Sequence, residues 1–152
     1  MMKTVDKINK NLAIVNRAKV DEIEAVRASE ERFIDKNLKV CKKVAAAMKK
    51  ADKTYVKAMK KYNNDASVEN AYRAEEAKKE LLACVNTYNA ITKNINDSMV
   101  AVQATYASHN KAEGVVDPAK AAKHAPAFNA YNAKIERAID KISTSLAGYP
   151  HI

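Results

Sequence analysis

Between residue 1 and residue 113 there is neither a glycine nor a proline; Gly114, Gly148, Pro118, Pro126 and Pro150 all lie beyond. Average usage puts roughly a dozen of these two residues in every hundred, and turns need them for positive or preset φ. A sheet protein, with its many turns, is excluded. The longest apolar runs span a few residues, such as Val44 to Met48, where a membrane-spanning helix needs about 20. Residues 1 to 10 carry charges with no apolar run behind them, so they do not read as a secretory signal. The expected location is the cytoplasm or an assembly within the cell, with no transmembrane segment.

Chemistry-bearing residues are also scarce. The two cysteines, Cys41 and Cys84, lack the short spacing of a zinc or redox motif. Both fall on apolar faces, where a reduced thiol behaves as a small hydrophobe. The histidines, His109, His124 and His151, are far apart in sequence and fall in or next to expected loops and chain ends. None has metal-ligand spacing. No phosphate-cradling glycine loop, nucleophile elbow or His-Glu-x-x-His run occurs. His109 beside Ser108 reads as a loop residue, and Asn96-Asp97-Ser98 as a mid-helix coincidence with a glycosylation acceptor. The chain is therefore expected to be no enzyme, with no catalytic, metal or cofactor-binding residue and no cofactor.

What is abundant points one way. Alanine is the commonest residue, at 28 of 152, and with Lys, Glu, Leu and Met it favours helix. Ile8, Leu12, Val15, Ile23, Val26, Phe33, Asn37, Cys41, Val44, Met48, Ala51, Tyr55, Met59 and Tyr62 recur at steps of three and four with a mean near 3.6, broken by Lys19 and Glu30. One stripe predicts one helix over residues 3–62, roughly 90 Å long by helix rise. The run 62–68 (Tyr-Asn-Asn-Asp-Ala-Ser-Val) holds turn and N-cap residues, so Asp65 or Ser67 opens a second helix over 66–107. Its seam reads Ala74, Ala77, Leu81, Cys84, Tyr88, Ile91, Ile95, Ser98, Val102 and Thr105, a coiled-coil-like heptad. Small Ala74 and Ala77 predict a close approach near the turn.

Composition predicts a loop over 108–117. Asp117-Pro118, an N-cap followed by proline at the first helical position, starts a short helix over 118–125. Phe128, Tyr131, Ile135, Ile139, Ile142 and Leu146 stripe a further helix over 127–147, stopped by Gly148 and Pro150. The expected fold is all-α: one single elongated helical domain over 1–152, a long antiparallel helical hairpin with a third, C-terminal amphipathic helix in an elongated three-helix arrangement. Because the second helix is shorter, residues 1–20 should overhang the hairpin, to be covered by the C-terminal helix and a neighbouring subunit.

Charge supplies the functional clue. The net charge is +9, and between Lys36 and Lys61 there are ten lysines and one acid, Asp52, so that stretch accounts for all of it. Lys39, Lys43, Lys50, Lys57 and Lys61 should form a solvent-facing ridge opposite Cys41, Met48, Tyr55 and Met59. Upstream, Asp21, Glu22, Glu24, Glu30, Glu31 and Asp35 face only Arg27 and Arg32, a net −4. One helix thus carries an acidic block followed by a basic block, which favours staggered association between copies. Across the hairpin, Glu69, Glu76 and Glu80 should meet Lys60, Lys53 and Lys49.

The leading expectation is a non-enzymatic structural or assembly subunit that works through exposed helix faces, as a component of a virion, filament or other large complex. The ridge and the acidic block are its contacts, with a protein partner or another copy. The alternative is sequence-independent nucleic-acid binding through the ridge, since lysines bind phosphate without reading sequence. Arginine forks and interleaved aromatics for base recognition are missing, and an exposed lysine face is also what any solvated helix displays. A weaker third option is peripheral membrane attachment through the ridge or through Phe128, Tyr131 and Ile135.

Overall fold

The computed structural model describes residues 2–152 and, of Met2, the backbone alone. Four helices follow one another: α1 (Met2–Asn64), α2 (Val68–Val116), α3 (Pro118–His124) and α4 (Ala127–Ser145). Helices α1 and α2 pack against each other as a hairpin, α4 is the C-terminal helix, and no strand occurs among the described residues. The turn is built as its residues dictate. Asp65 N–H still donates to the Lys61 carbonyl at 2.9 Å, and Ser67 Oγ accepts from Asn70 N–H at 3.1 Å, which makes Ser67 the cap of α2.

All ten seam positions of α2 from Ala74 to Thr105 are buried or half-buried, and so are all six positions of the C-terminal stripe, five on α4 and Leu146 just after it. On α1 the buried face follows a stricter rule. Val20, Ile34, Cys41 and Met48 are buried, Arg27, Tyr55 and Tyr62 half-buried, all in steps of seven. This is the 3.5-residue repeat of coiled-coil packing. A 3.6-residue stripe drifts from it by about 20° per heptad, so the sequence stripe agrees near Cys41 and slips by one residue further back. Val26 and Phe33 are therefore exposed, at 50% and 45%, while Ile34 is fully buried.

The expected loop over 108–117 is corrected: α2 runs on to Val116, leaving Asp117 alone between α2 and α3. Gly114 keeps a negative φ, and His109, Ala112 and Glu113 continue the inward face, so burial outweighs the polar composition. His109 is thus a helical, buried residue rather than a loop one. Asp117 caps α3 by accepting from Lys120 N–H at 3.2 Å, with proline in its first turn. Helices α3 and α4 each end a residue or two earlier than expected. The backbone then turns at Gly148, where φ is +82°, and Tyr149 N–H returns to the Leu146 carbonyl at 2.9 Å.

Two compact units are present, one formed by Met1–Asp35 with Asn96–Ile135, the other by Lys36–Ile95 with Glu136–Ile152. In the first, Val20, Ile34, Val102, Ala112 and Ile135 are buried. Several polar residues take the remaining inward positions and find partners there. The Arg27 guanidinium lies 4.4 Å from the centre of the Tyr106 ring, Phe128 stands 5.6 Å from the same ring, and the Tyr106 hydroxyl donates to Glu31 at 3.3 Å. Glu113 is fully buried between Arg17 at 3.5 Å and Lys120 at 3.8 Å. Because α2 is longer than expected, it reaches Arg17 through Glu113, and the uncovered stretch shrinks to residues before Arg17; Met1 lies outside the described residues.

In the second unit the core gathers Ala45, Met48, Ala51, Leu81 and Leu146, with Tyr55, Cys84, Tyr88 and Ile142 packed on it. Alanines at 51, 74 and 77 are buried, as a close helix approach requires. Cys41 and Cys84 are free thiols, and burial pushes the Cys41 thiol above its ordinary 9.0.

Candidate partner-contact surfaces

The second unit displays a lysine face. Lys39, Lys43, Lys50, Lys57 and Lys61 are all exposed on α1, across from buried Cys41 and Met48. A heptad helix that turns positions 41, 45, 48 and 52 inward must turn 39, 43, 50 and 57 outward. The expected partners across the hairpin do not engage: Glu69 pairs with Arg73 at 2.6 Å and Glu76 with Lys79 at 3.4 Å, both within α2. Neighbours three or four residues apart on one helix meet without ordering a second element.

Asp52, the single acid among the ten lysines, is 1% exposed. Its carboxylate accepts from the backbone N–H of His151 at 2.6 Å and lies 2.5 Å from His151 Nδ1. The outward surface of residues 36–61 therefore carries lysines and no carboxylate.

Sequence reasoning missed a groove beside this face. Where α4 crosses α1, Leu38, Ala45 and Ile142 form the floor of a trough of about 480 Å³, open to solvent. Lys39, Lys42 and Lys49 edge it from α1 and Lys141 from α4. The small residues Ala46 and Ala138 leave its space open. The one signal in the sequence was the triple alanine 45–47 framed by lysines, which has meaning only once α4 lies across it.

The acidic block belongs to the first unit. Asp21, Glu22 and Asp35 are exposed. Glu24 is exposed as well, with His109 Nε2 2.9 Å from its carboxylate. Glu30 and Glu31 are half-buried, and Glu31 accepts the Tyr106 hydroxyl. Desolvation, with the charges of Glu31 and Asp35 behind it, pushes the Tyr131 hydroxyl strongly upward. The block thus splits into an outer part, Asp21, Glu22 and Asp35, and a part tied to its own unit.

Phe128, Tyr131 and Ile135, considered for membrane attachment, face inward: Ile135 is 2% exposed and Phe128 packs on Tyr106. No described helix is long and apolar enough to cross a membrane. The imidazoles of His109 and His124 stack at 6.3 Å, but no cluster of three His, Cys, Asp or Glu among the described residues is placed to hold a metal ion. Compared with protein-family models, with curated proteins and with solved structures, the chain matches none of them.

Proposed function

We propose that this chain is a non-enzymatic assembly subunit whose copies associate through exposed helix faces, the acidic block of one copy against the lysine ridge of another. The observation that carries this reading is the inward turn of Asp52, which leaves the outward surface of residues 36–61, with Lys39, Lys43, Lys50, Lys57 and Lys61, free of carboxylates. Complementary charge comes from Asp21, Glu22 and Asp35, exposed in the first unit. A surface with one sign of charge on each of two patches brings copies together in a fixed register. Support also comes from the start of α1, where Val5, Ile8, Leu12 and Val15 are each about half exposed or more. Their three-four-three spacing is that of a helix stripe awaiting cover.

Sedimentation velocity over a salt series tests the proposal. Mass above the monomer at low salt should fall toward the monomer as salt is raised, because exposed charges more than about 10 Å apart are screened at 0.1 M. Reversing the five ridge lysines to Glu should abolish association, and mixing that variant with an Asp21→Lys/Glu22→Lys/Asp35→Lys variant should restore it. A monomer under every condition sinks the reading. The same ridge supports a second one, phosphate-backbone binding to nucleic acid, on the same inward turn of Asp52. A gel shift at about 50 mM salt that disappears steeply as salt rises would favour it, and no shift would remove it.

A further inference from the structure

The trough between α1 and α4 has a chemistry of its own, and it does not depend on self-association. Its volume of about 480 Å³ falls in the ~300–1,000 Å³ range of small-molecule sites. The floor is apolar, the rim is cationic on both sides, and no carboxylate lines it among the described residues. Ser145, the one hydroxyl at the edge, already donates to the Ile142 carbonyl at 2.6 Å, so the lysines are the donors left to a ligand. Lys49 is partly occupied, its ammonium 6.0 Å from the centre of the Tyr149 ring. Lys39, Lys42 and Lys141 are exposed and keep their charge free.

Shape selects among anions. Along α1 the trough runs from Leu38 to Lys49, roughly 17 Å by helix rise. A row of methylene groups fits along that length. Inorganic phosphate would meet the lysines but leave the apolar floor in water, and a neutral alkane would do the reverse.

We propose that this trough binds a single-chain anionic amphiphile, its alkyl chain on Leu38, Ala45, Ala46, Ala138 and Ile142 and its acid group held by Lys39, Lys42 and Lys141. Dodecanoate, kept below its micelle concentration, is the probe, with dodecyltrimethylammonium and dodecyl maltoside as controls of equal chain length. Calorimetry on the full chain should show saturable binding of dodecanoate at one site and none of the cationic control. Lys42→Glu/Lys141→Glu should weaken dodecanoate by at least about tenfold per charge removed. Ala46→Trp, which fills the trough from an exposed position, should abolish binding while circular dichroism stays helical. Lys50→Glu/Lys57→Glu/Lys61→Glu, which disables the ridge, should leave the affinity unchanged, so failure of the assembly reading and failure of this one are separable. Dodecanoate that fails to bind, binds as well to Ala46→Trp, or binds no better than the maltoside overturns the proposal. Displacement of bound dodecanoate by a peptide of residues 18–37, with the peptide binding more tightly, would reassign the trough to a second copy.

Discussion

Asp52 and His151, ninety-nine residues apart, are joined twice: the Asp52 carboxylate takes the His151 backbone N–H at 2.6 Å and faces its Nδ1 at 2.5 Å. The carboxylate is buried, whereas the His151 side chain is 57% exposed. Removing the acid therefore frees groups that water can reach, which limits the cost. Asp52→Ala should lower stability by no more than about 2 kcal/mol, yet release the segment after Gly148. Hydrogen exchange at the His151 amide checks it: protection should vanish in Asp52→Ala and persist in part in Asp52→Asn, which keeps an acceptor oxygen.

The two glycines should respond with opposite signs. Gly114 lies inside α2 with open space beside it: nothing stands within 4 Å of where a Cβ would go. Gly114→Ala should raise stability by about 0.5–1 kcal/mol through backbone entropy. Gly148 has equal space but φ +82°, so Gly148→Ala should cost roughly 1–2 kcal/mol. Thermal melts of the two variants decide; a destabilised Gly114→Ala would mean that α2 stops short of it.

Alkaline solution should unfold this protein early. Burial raises the Cys41 thiol above 9.0 and the Tyr88, Tyr106 and Tyr131 hydroxyls above 10.0. In each case the unfolded chain loses its proton first. Stability is complete below the ordinary value and declines as pH climbs from about 9 toward the raised folded values. Urea unfolding at pH 8 and at pH 10.5 measures the decline. The buried Tyr131 hydroxyl also has no hydrogen-bond partner, so Tyr131→Phe should flatten the decline and leave neutral-pH stability equal or up to about 1 kcal/mol higher.

Glu113 separates charge from volume. Its partners are about half exposed, Arg17 at 45% and Lys120 at 50%, so losing the carboxylate leaves two cations that water can solvate. Glu113→Met should stay within about 1 kcal/mol of the parent or exceed it. Arg17→Ala instead leaves a buried carboxylate with Lys120 at 3.8 Å and should destabilise by about 1–3 kcal/mol. Denaturant midpoints that rank these variants the other way would refute the assignment.

The helical hairpin was legible because its signals are local: breaker-free sequence, a heptad from Ala74 to Thr105, and Ser67 and Asp117 as caps. What misled was period and composition. A 3.6-residue stripe put Phe33 inside, where a 3.5-residue repeat puts Ile34. Polar His109 and Glu113 read as loop, although in the folded interior Glu24 meets His109 and the cations of Arg17 and Lys120 stand beside Glu113. The ridge lysines were visible at 100° per residue, whereas the trough requires Lys141 and Ala138 to arrive from α4, and nothing in residues 38–49 announces that arrival.

The half-exposed Val5, Ile8, Leu12 and Val15 have an energetic corollary. Helical hydrogen bonds run unbroken from Met2 to Asn64, but from Lys3 to Lys19 no residue is buried, and a helix without tertiary burial is marginal in water. α1 is thus continuous as geometry and graded as thermodynamics: its opening turns can melt at little expense while the turns around Met48 open only with the whole unit.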